Sequence, residues 1–289
     1  MNEVFDVTEG EQRLDSFLAK QKPEYSRSFW QKMIEGGSVT INGSVVKSKH
    51  KAMPGDVVSI TVPEKPNFVG RTLPVLYEDD DVIVVNKPAG MLTHAKGAQS
   101  DEFSIGEFMR TRTTDGTETN RPGIVHRLDR GTSGVIIAAK NPGAKRWLQA
   151  QFSKRNVKKT YVALVVGHPQ EAAATIQLPI ERNPKKPQTF RVGGNGKTAE
   201  TTYETLHNYR SNTLLQLMPH TGRTHQLRVH LSYLHCPIVG DDLYGKIEPR
   251  LGRMFLHAAK LELTLPSRER RVFEAPLPDD LQNFLKQLT

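Results

Sequence analysis

The stretch GIVHRLDRGTSGVIIAAK, residues 123–140, joins a loop of charged side chains to an apolar run. The apolar part, residues 135–139, has the length and composition of a buried β-strand. Asp129 lies just before it, between Arg127 and Arg130, and nearby positive charge favours the ionised form of a carboxylate. A reacting group needs a rigid support, which a buried strand provides. The stretch therefore predicts a central strand that carries an acidic nucleophile on its preceding loop.

The same residues also allow a purely structural interpretation. Asp129 would suit a pair with a neighbouring arginine, or a cap on the turn at residues 131–134, because Asp, Ser, Thr and Gly are all common in turns. Spacing alone leaves both interpretations open.

A resemblance favours the catalytic interpretation. The segment HRLDRGTSG, residues 126–134, resembles the HRLDxxTSG signature of RluA-type pseudouridine synthases, in which the aspartate is catalytic. Arg130 and Gly131 stand where the commonest family form has Lys-Asp or Lys-Glu, so the charge of the loop differs. The resemblance implies that Asp129 is the nucleophile. It also implies three neighbours that contact the RNA substrate: His126, Arg127 and Leu128.

A second resemblance involves a tyrosine near the start of a strand. Residues 157–167, VKKTYVALVVG, contain an alternating and apolar pattern that is typical of a half-buried strand. They resemble the family's KxYxAxVxG motif, which implies that the Tyr161 ring stacks on the target base and that its hydroxyl helps to remove a proton. Without the resemblance, a tyrosine on a strand is more often a core residue.

The third informative stretch, residues 214–245, is LLQLMPHTGRTHQLRVHLSYLHCPIVGDDLYG. It predicts a strand, a Thr-Gly turn and a helix, and it resembles the family's final motif. The resemblance implies an ion pair between Arg228 and Asp129. Leu227, next to Arg228, is a candidate to line the pocket, and Arg223 is a candidate to bind phosphate. Four histidines recur at a spacing of five: His220, His225, His230 and His235. This spacing turns successive helical side chains by about 500° and spreads them around the helix. They therefore predict no metal site.

Composition and charge favour a folded protein that binds a polyanion. The chain has 289 residues, a net charge of +9 and a single cysteine, Cys236, which excludes an internal disulfide. Lys and Arg contacts to phosphate supply most non-specific affinity for nucleic acid. No apolar run approaches the roughly 20 residues needed to cross a bilayer, and the acidic, polar N-terminus does not resemble a signal peptide. We expect a cytoplasmic protein.

The N-terminal region predicts a small RNA-binding module. Apolar residues at helical spacing, followed by the Asn42-Gly43 turn, indicate two helices and a hairpin. Residues 11–62 resemble the αL-type RNA-binding domain of a ribosomal small-subunit protein. Residues 1–66 have a net charge of zero, however, which also allows basic residues that serve only solubility. The expected RNA contacts are Arg13, Arg27, Lys32, Lys47, Lys49 and Lys51. Proline and glycine then indicate a linker, which separates a domain of residues 1–66 from one of residues 67–289.

The resemblance as a whole implies an α+β protein with the pseudouridine synthase fold. We expect a mixed, largely antiparallel central sheet with flanking helices, plus a small N-terminal α/β RNA-binding domain. Such an enzyme isomerises uridine in RNA without cofactor or metal, and ribosomal RNA of the large subunit is the expected substrate. Transfer RNA is the alternative substrate, and a non-catalytic RNA-binding or ribosome-assembly factor is the alternative class. We expect a monomer, and the sequence leaves open attack on ribose C1′, attack on base C6, or a glycal intermediate.

Overall fold

The computed structural model describes residues 2–8, 10–23, 25–61, 66–68, 70–95 and 102–288. These residues form two compact units. The first takes its residues from the ranges 1–70, 94–103 and 118–120, and the second takes them from the ranges 71–93, 104–117 and 121–289. Pro63, part of the expected linker, lies outside the described residues.

The first unit has two helices and a small sheet. Its elements are β1 (Asn2–Asp6), β2 (Gln12–Arg13), α1 (Leu14–Gln21), α2 (Arg27–Glu35), β3 (Val39–Ile41), β4 (Ser44–Val45), β5 (Lys51–Ala52) and β6 (Val57–Thr61). Four strands pair in the order β1-β6-β3-β4 within the described residues, and β2 pairs with β5. Leu14 and Leu18 of α1 pack with Trp30 and Ile34 of α2 in a common core. The expected order of two helices and a hairpin is confirmed.

The second unit is larger and is organised around one long sheet. Its elements are β7 (Val75–Glu78), β8 (Val82–Lys87), α3 (Ile105–Met109), β9 (Ser133–Ala139), α4 (Pro142–Ser153), β10 (Lys158–Val166), β11 (Ala173–Gln177), β12 (Ile180–Arg182), β13 (Phe190–Val192), β14 (Glu200–Asn208), β15 (Asn212–Pro219), α5 (Gln226–Tyr233), β16 (Leu256–Thr264), β17 (Arg270–Glu274) and α6 (Asp279–Lys286). Among the described residues the sheet has nine strands, with eight in the order β11-β14-β15-β10-β16-β9-β8-β7 and β17 on β16.

The strand that follows Asp129 lies in the middle of this sheet. All seven residues of β9 are buried, and β9 pairs antiparallel with β8 and parallel with β16. Gly134 adopts a φ of +114°, and a Cβ there would lie 2.2 Å from the carbonyl oxygen of Ala258. A larger residue is excluded by that approach, so the glycine allows β9 and β16 to meet next to the loop of Asp129.

Helices cover the sheet and complete two apolar cores. Leu227 and Leu231 of α5 pack with Leu281 and Phe284 of α6 in one core, and Leu148 of α4 belongs to the other. Asn141 caps the start of α4, because its side chain accepts a hydrogen bond from the backbone N–H of Ala144 at 2.8 Å. The expected mixed, largely antiparallel sheet with flanking helices is confirmed. In the described part of the chain, no helix has the length and apolar character that a membrane span requires.

Candidate active site

Backbone contacts hold the loop that carries Asp129 in place. The Thr93 hydroxyl accepts a hydrogen bond from the backbone N–H of Leu128 at 3.1 Å and donates one to the Leu128 carbonyl at 2.8 Å. The N–H of Gly90 donates to the Arg130 carbonyl at 2.8 Å, and the N–H of Thr132 donates to the Asp129 carbonyl at 3.1 Å. The residues on both sides of Asp129 are therefore tied to neighbouring segments, which fixes the base of its side chain.

A fully buried lysine lies beneath the same loop. Lys87 ends β8, and its Nζ donates to the carbonyls of Pro88 (3.0 Å), Met91 (2.9 Å) and Arg130 (3.4 Å). Burial, with a smaller contribution from Arg253, lowers the pKa of Lys87 to about 7, although the charge of Asp129 acts in the opposite direction. Three carbonyl acceptors match the three donors of an ammonium group. Lys87 thus fastens the segment after β8 to the loop of Asp129.

The eight residues expected at the catalytic centre come together around one cavity. Its volume is about 540 Å³, which is within the range of small-molecule sites. The expected residues that line it are His126, Arg127, Leu128, Asp129, Tyr161, Arg223, Leu227 and Arg228. They come from the loop before β9, from β10, from the turn after β15 and from α5. Segments far apart in sequence therefore converge on Asp129.

Arg228 contacts Asp129, but its shorter bonds go to another carboxylate. The distance from Arg228 Nη1 to Asp129 Oδ2 is 3.6 Å, whereas Nε and Nη2 donate to the two oxygens of Asp241 at 2.7 and 2.6 Å. Asp241 is fully buried, and Arg228 is 6% exposed. Burial alone would lower the pKa of Arg228. The hydrogen bond to Asp241 and the negative charge of Asp241 outweigh burial, so the pKa is raised. A charged guanidinium therefore lies behind Asp129, oriented by Asp241.

Tyr161 lies on β10 at an irregularity in the sheet. It is opposite Leu217 of β15 and Ala258 of β16, and the register with β16 shifts between Thr160 and Tyr161. Burial raises the pKa of Tyr161, and the negative charge of Asp129 raises it further. The phenol consequently keeps its proton near neutral pH, so its hydroxyl is available as a hydrogen-bond donor and its ring as a stacking surface.

The three residues that precede Asp129 differ in exposure. The His126 ring stacks on Phe152, with centroids 4.5 Å apart, and its Nε2 accepts from the N–H of Ile137 at 3.1 Å. Burial, with a smaller contribution from the charge of Lys159, lowers the pKa of His126 to about 3, so the ring is neutral. Leu128 is buried, whereas Arg127 is exposed. Of the three, Arg127 has the side chain that solvent reaches most readily.

Two further cationic side chains, those of Arg223 and Lys159, line the cavity. Arg223 donates from Nε to the Thr198 carbonyl at 3.0 Å, and Lys159 donates from Nζ to the Thr221 carbonyl at 3.0 Å. Burial lowers the pKa of Lys159 to about 8. Leu227, next to Arg228, is 7% exposed and also packs in the core. Lys159 had no assigned role in the sequence, and its position two residues before Tyr161 on one strand was the signal for a place in the cavity.

The basic residues expected to contact RNA in the first unit fall into two groups. Arg13 and Arg27 both bind Asp15, at 3.0 and 3.2 Å, and Lys51 lies 2.5 Å from Glu11. The other three are exposed: Lys32, Lys47 and Lys49. Asp15 is fully buried and thus holds the two arginines at fixed positions.

Three further residues near Asp129 had no assigned role in the sequence. Asp241 and Tyr244 belong to the stretch that resembles the family's final motif, and His225 entered only as part of the histidine spacing. His225 Nε2 lies 4.0 Å from Asp129 Oδ2, and its Nδ1 lies 2.8 Å from the Tyr244 hydroxyl. Burial lowers the pKa of His225, although Asp129 raises it in part. The acidic pair Asp241-Asp242, inside the stretch that resembles the family's final motif, was the available signal for Asp241.

The four histidines at a spacing of five do not share a site. His230, for example, is buried between the Thr201 hydroxyl and the Leu178 carbonyl, both at 3.0 Å. Within the described residues, His, Cys, Asp and Glu side chains form no group of three or more that could hold a metal ion.

Comparisons with known proteins agree with the geometry. Residues 81–233 match the family described as RNA pseudouridylate synthase, and residues 12–58 match the S4 domain. The chain is 38% identical to an RNA pseudouridine synthase of Bacillus subtilis, YlyB, over 100% of this chain and 99% of the relative.

Other relatives carry more specific names. The chain is 34% identical to the ribosomal large subunit pseudouridine synthase C of Vibrio vulnificus, over 99% of this chain and 96% of that protein. It is 35% identical to the ribosomal large subunit pseudouridine synthase D of Nitrosomonas europaea, over 96% of this chain and 84% of that protein. Among solved structures, human RNA pseudouridylate synthase domain containing 4 superposes with a TM-score of 0.61 at 28% identity, covering 74% of this chain and 92% of that one. The chain therefore belongs to the RNA pseudouridylate synthase family and carries an N-terminal S4 domain.

Proposed function

We propose that this enzyme converts uridine to pseudouridine in large-subunit ribosomal RNA, with Asp129 as the nucleophile. The observation that carries the proposal is that Asp129, Tyr161 and Arg228 line a single cavity of about 540 Å³. The relatives named ribosomal large subunit pseudouridine synthase C and D support the choice of RNA. The S4 domain supports capture of a structured RNA. The three side chains come from one chain, which supports action as a monomer, and a ribosomal RNA substrate supports a cytoplasmic location.

The reaction is an isomerisation in which no atoms are lost. The bond from N1 of the base to C1′ of the ribose breaks, and a bond from C5 to C1′ forms. C5 releases its proton and N1 gains one. Asp129, as the nucleophile, begins the cleavage of the N1–C1′ bond, and Arg228 stabilises its carboxylate. Tyr161 stacks on the base, with its hydroxyl close to the proton that leaves C5. Stacking suits the face of any base, so the Tyr161 ring binds the uracil while the uracil turns over.

The target base must leave its helix to reach this cavity. Extrusion costs a few kcal/mol, and least where the base is already unpaired. Arg127 is exposed at the cavity and precedes Asp129 by two residues. We assign to Arg127 the space that the extruded base vacates, where its planar guanidinium can stack on the neighbouring bases.

The test is tritium release from RNA that carries [5-³H]uridine. Wild-type protein should release tritium from a large-subunit rRNA transcript. Asp129→Asn should release none while binding the same RNA within about threefold, because the amide is isosteric but a poor nucleophile. Asp80→Asn provides the matched control, since Asp80 is exposed at the turn between β7 and β8.

Each alternative has its own outcome in this experiment. Release from transfer RNA but not from rRNA would replace the proposed substrate. Tight binding without release by the wild-type protein would indicate a non-catalytic RNA-binding factor. Substantial turnover by Asp129→Asn would remove Asp129 from the role of nucleophile.

A further inference from the structure

His225 holds a backbone conformation that favours glycine and that other residues adopt rarely. Its φ is 57°, in the left-handed region, and it immediately precedes α5, the helix that carries Arg228. This conformation is strained for an L-residue, and such strain persists where the surrounding structure requires it. The local bend directs the histidine ring at Asp129, so the strain accompanies a specific side-chain position.

The contacts of the ring define which nitrogen carries the proton. The Tyr244 hydroxyl accepts a hydrogen bond from the backbone N–H of Phe190 at 2.8 Å and lies 2.8 Å from His225 Nδ1. The Tyr244 hydroxyl has one proton to donate, and His225 Nδ1 is the acceptor among the contacts described for this hydroxyl. Tyr244 thus donates to Nδ1, and a neutral ring then carries its proton on Nε2. Burial lowers the pKa of His225, which keeps the ring neutral.

The protonated nitrogen faces the same oxygen of Asp129 as Arg228 does. His225 Nε2 is 4.0 Å from Asp129 Oδ2, and Arg228 Nη1 is 3.6 Å from it. Both distances exceed a hydrogen bond, and contacts of this kind can tighten when substrate binds. With both donors on the side of Oδ2, the other oxygen, Oδ1, is left for the substrate.

One short segment supports both donors. Asp241 binds the Arg228 guanidinium and accepts the backbone N–H of Tyr244 at 3.1 Å. The Tyr244 ring lies under Arg228, with 5.0 Å from the guanidinium carbon to the ring centroid, and its hydroxyl binds His225. Movement of Tyr244 would therefore displace both groups behind Asp129.

We propose that His225 is a positioning residue that acts through Asp129: its neutral ring, held by Tyr244, directs Nε2–H at Oδ2 and leaves Oδ1 as the reacting oxygen. The inference rests on the proposed function of Asp129. A histidine that only begins α5 would make the same backbone bend but would give no reason for the Tyr244 bond or for the approach to Asp129.

Three variants separate the two roles. His225→Asn suits the left-handed backbone but is too short to reach Oδ2, whereas His225→Gln places an N–H donor near the position of Nε2. Tyr244→Phe keeps the ring under Arg228 and removes the hydroxyl. We expect His225→Asn to lower kcat by about 10- to 100-fold with KM within about threefold, the loss typical of a misoriented reacting group. We expect His225→Gln to recover at least half of that loss on a logarithmic scale, and Tyr244→Phe to lower kcat with KM unchanged.

A measurement on the unmodified side chain tests the proposal without any variant. ¹⁵N NMR of the imidazole in wild-type protein should find the proton on Nε2 and not on Nδ1 near neutral pH. A proton on Nδ1, or wild-type kcat in His225→Asn, would overturn the proposal. Failure of the proposed function is distinguishable, because the wild-type protein would then release no tritium from any RNA while the NMR spectrum still reported the position of the proton.

Discussion

Arg228 is bound to Asp241 at two points and meets Asp129 with the remaining nitrogen. The two bonds to Asp241 measure 2.7 and 2.6 Å, against 3.6 Å to Asp129. Asp241 is itself fixed by the backbone N–H groups of Leu243 and Tyr244, at 3.0 and 3.1 Å. The guanidinium therefore has its position before substrate arrives, and Asp129 keeps a nearby positive charge without being locked into a bidentate pair.

Replacement of Asp241 should impair both folding and catalysis. Removal of one partner from a buried ion pair leaves the other charge uncompensated, which costs about 3–5 kcal/mol. We expect Asp241→Asn to lower the free energy of unfolding, measured by urea titration, by most of this amount. We also expect it to lower kcat at least tenfold. The control is Asp242→Asn: Asp242 lies 3.4 Å from the same guanidinium, but its side chain is 68% exposed, so its loss should cost less than about 1 kcal/mol. Equal losses in the two variants would contradict the role of Asp241.

Tyr161 offers a way to separate stacking from hydroxyl chemistry. Stacking of an aromatic ring on a base contributes about 1–3 kcal/mol, so Tyr161→Leu should lower kcat/KM by about 5- to 150-fold from this contribution alone. Tyr161→Phe keeps the ring, and we expect KM within about threefold of wild type and kcat lowered by about 10- to 100-fold. Tritium release under steady-state conditions measures both constants. Tyr233→Phe is the control, since Tyr233 is 55% exposed; a KM in Tyr161→Phe as high as in Tyr161→Leu would refute the stacking role.

Lys159 should make RNA binding weaken at alkaline pH. Burial lowers its pKa from 10.5 to about 8, so the folded protein loses this positive charge as pH rises through that value. A cation in the cavity attracts phosphate, and we expect wild-type affinity for RNA to fall between about pH 7 and pH 9 more steeply than that of Lys159→Gln. Fluorescence anisotropy with labelled RNA at constant ionic strength measures the difference. Parallel pH profiles would count against Lys159 as an RNA contact.

As pH rises, the lowered pKa of Lys159 should make RNA binding weaken, but it should make the folded protein more stable. Between the lowered pKa and the ordinary one, the unfolded chain binds a proton at Lys159 that the folded protein does not, so stability rises with pH in this window. Lys159→Met removes this contribution. We therefore expect the free energy of unfolding of Lys159→Met, relative to wild type, to decrease as pH rises through about 8. Urea titrations over that range provide the values, and a pH-independent difference would contradict burial as the cause.

Asp15 should make the first unit sensitive to acid. Burial alone would raise its pKa, but hydrogen bonds from Arg13, Gln31 and Arg27 outweigh burial and hold the pKa well below its usual range. Its stabilisation is then complete above the unfolded pKa, about 4, and is lost as pH falls below it. Asp15→Asn should cost about 1–3 kcal/mol near neutral pH and should remove this acid dependence. Hydrogen exchange resolved by peptide reports on the first unit alone, and Glu11→Gln, which alters an exposed pair with Lys51, is the control.

The sequence predicts those features of this protein that depend on local pattern. The apolar run at residues 135–139 lies within the buried strand β9, and Asn141 caps α4. The motif resemblance places Asp129, Tyr161 and Arg228, which line one cavity. In each case the signal is contained in a few consecutive residues.

The features that the sequence does not predict depend on contacts between distant segments. Lys87 binds the Arg130 carbonyl from the end of β8, and Tyr244 connects Phe190 to His225. No local pattern identifies such partners, because they are chosen by packing. The sequence likewise does not show that Arg13 and Arg27 share Asp15 as an internal partner. Their contacts with phosphate stay a prediction.

The position of β16 between β10 and β9 has a consequence for biosynthesis. Asp129 precedes β9 and Tyr161 lies on β10, so the two halves of the sheet that supply them are bridged by a strand near the C-terminal end of the chain. Pairing of such distant segments is slow compared with local folding. On a ribosome that makes the chain from its N-terminus, residues 12–58, which match the S4 domain, emerge well before β16. The cavity that holds Asp129 is therefore incomplete until β16, which lines it with Leu256, has emerged.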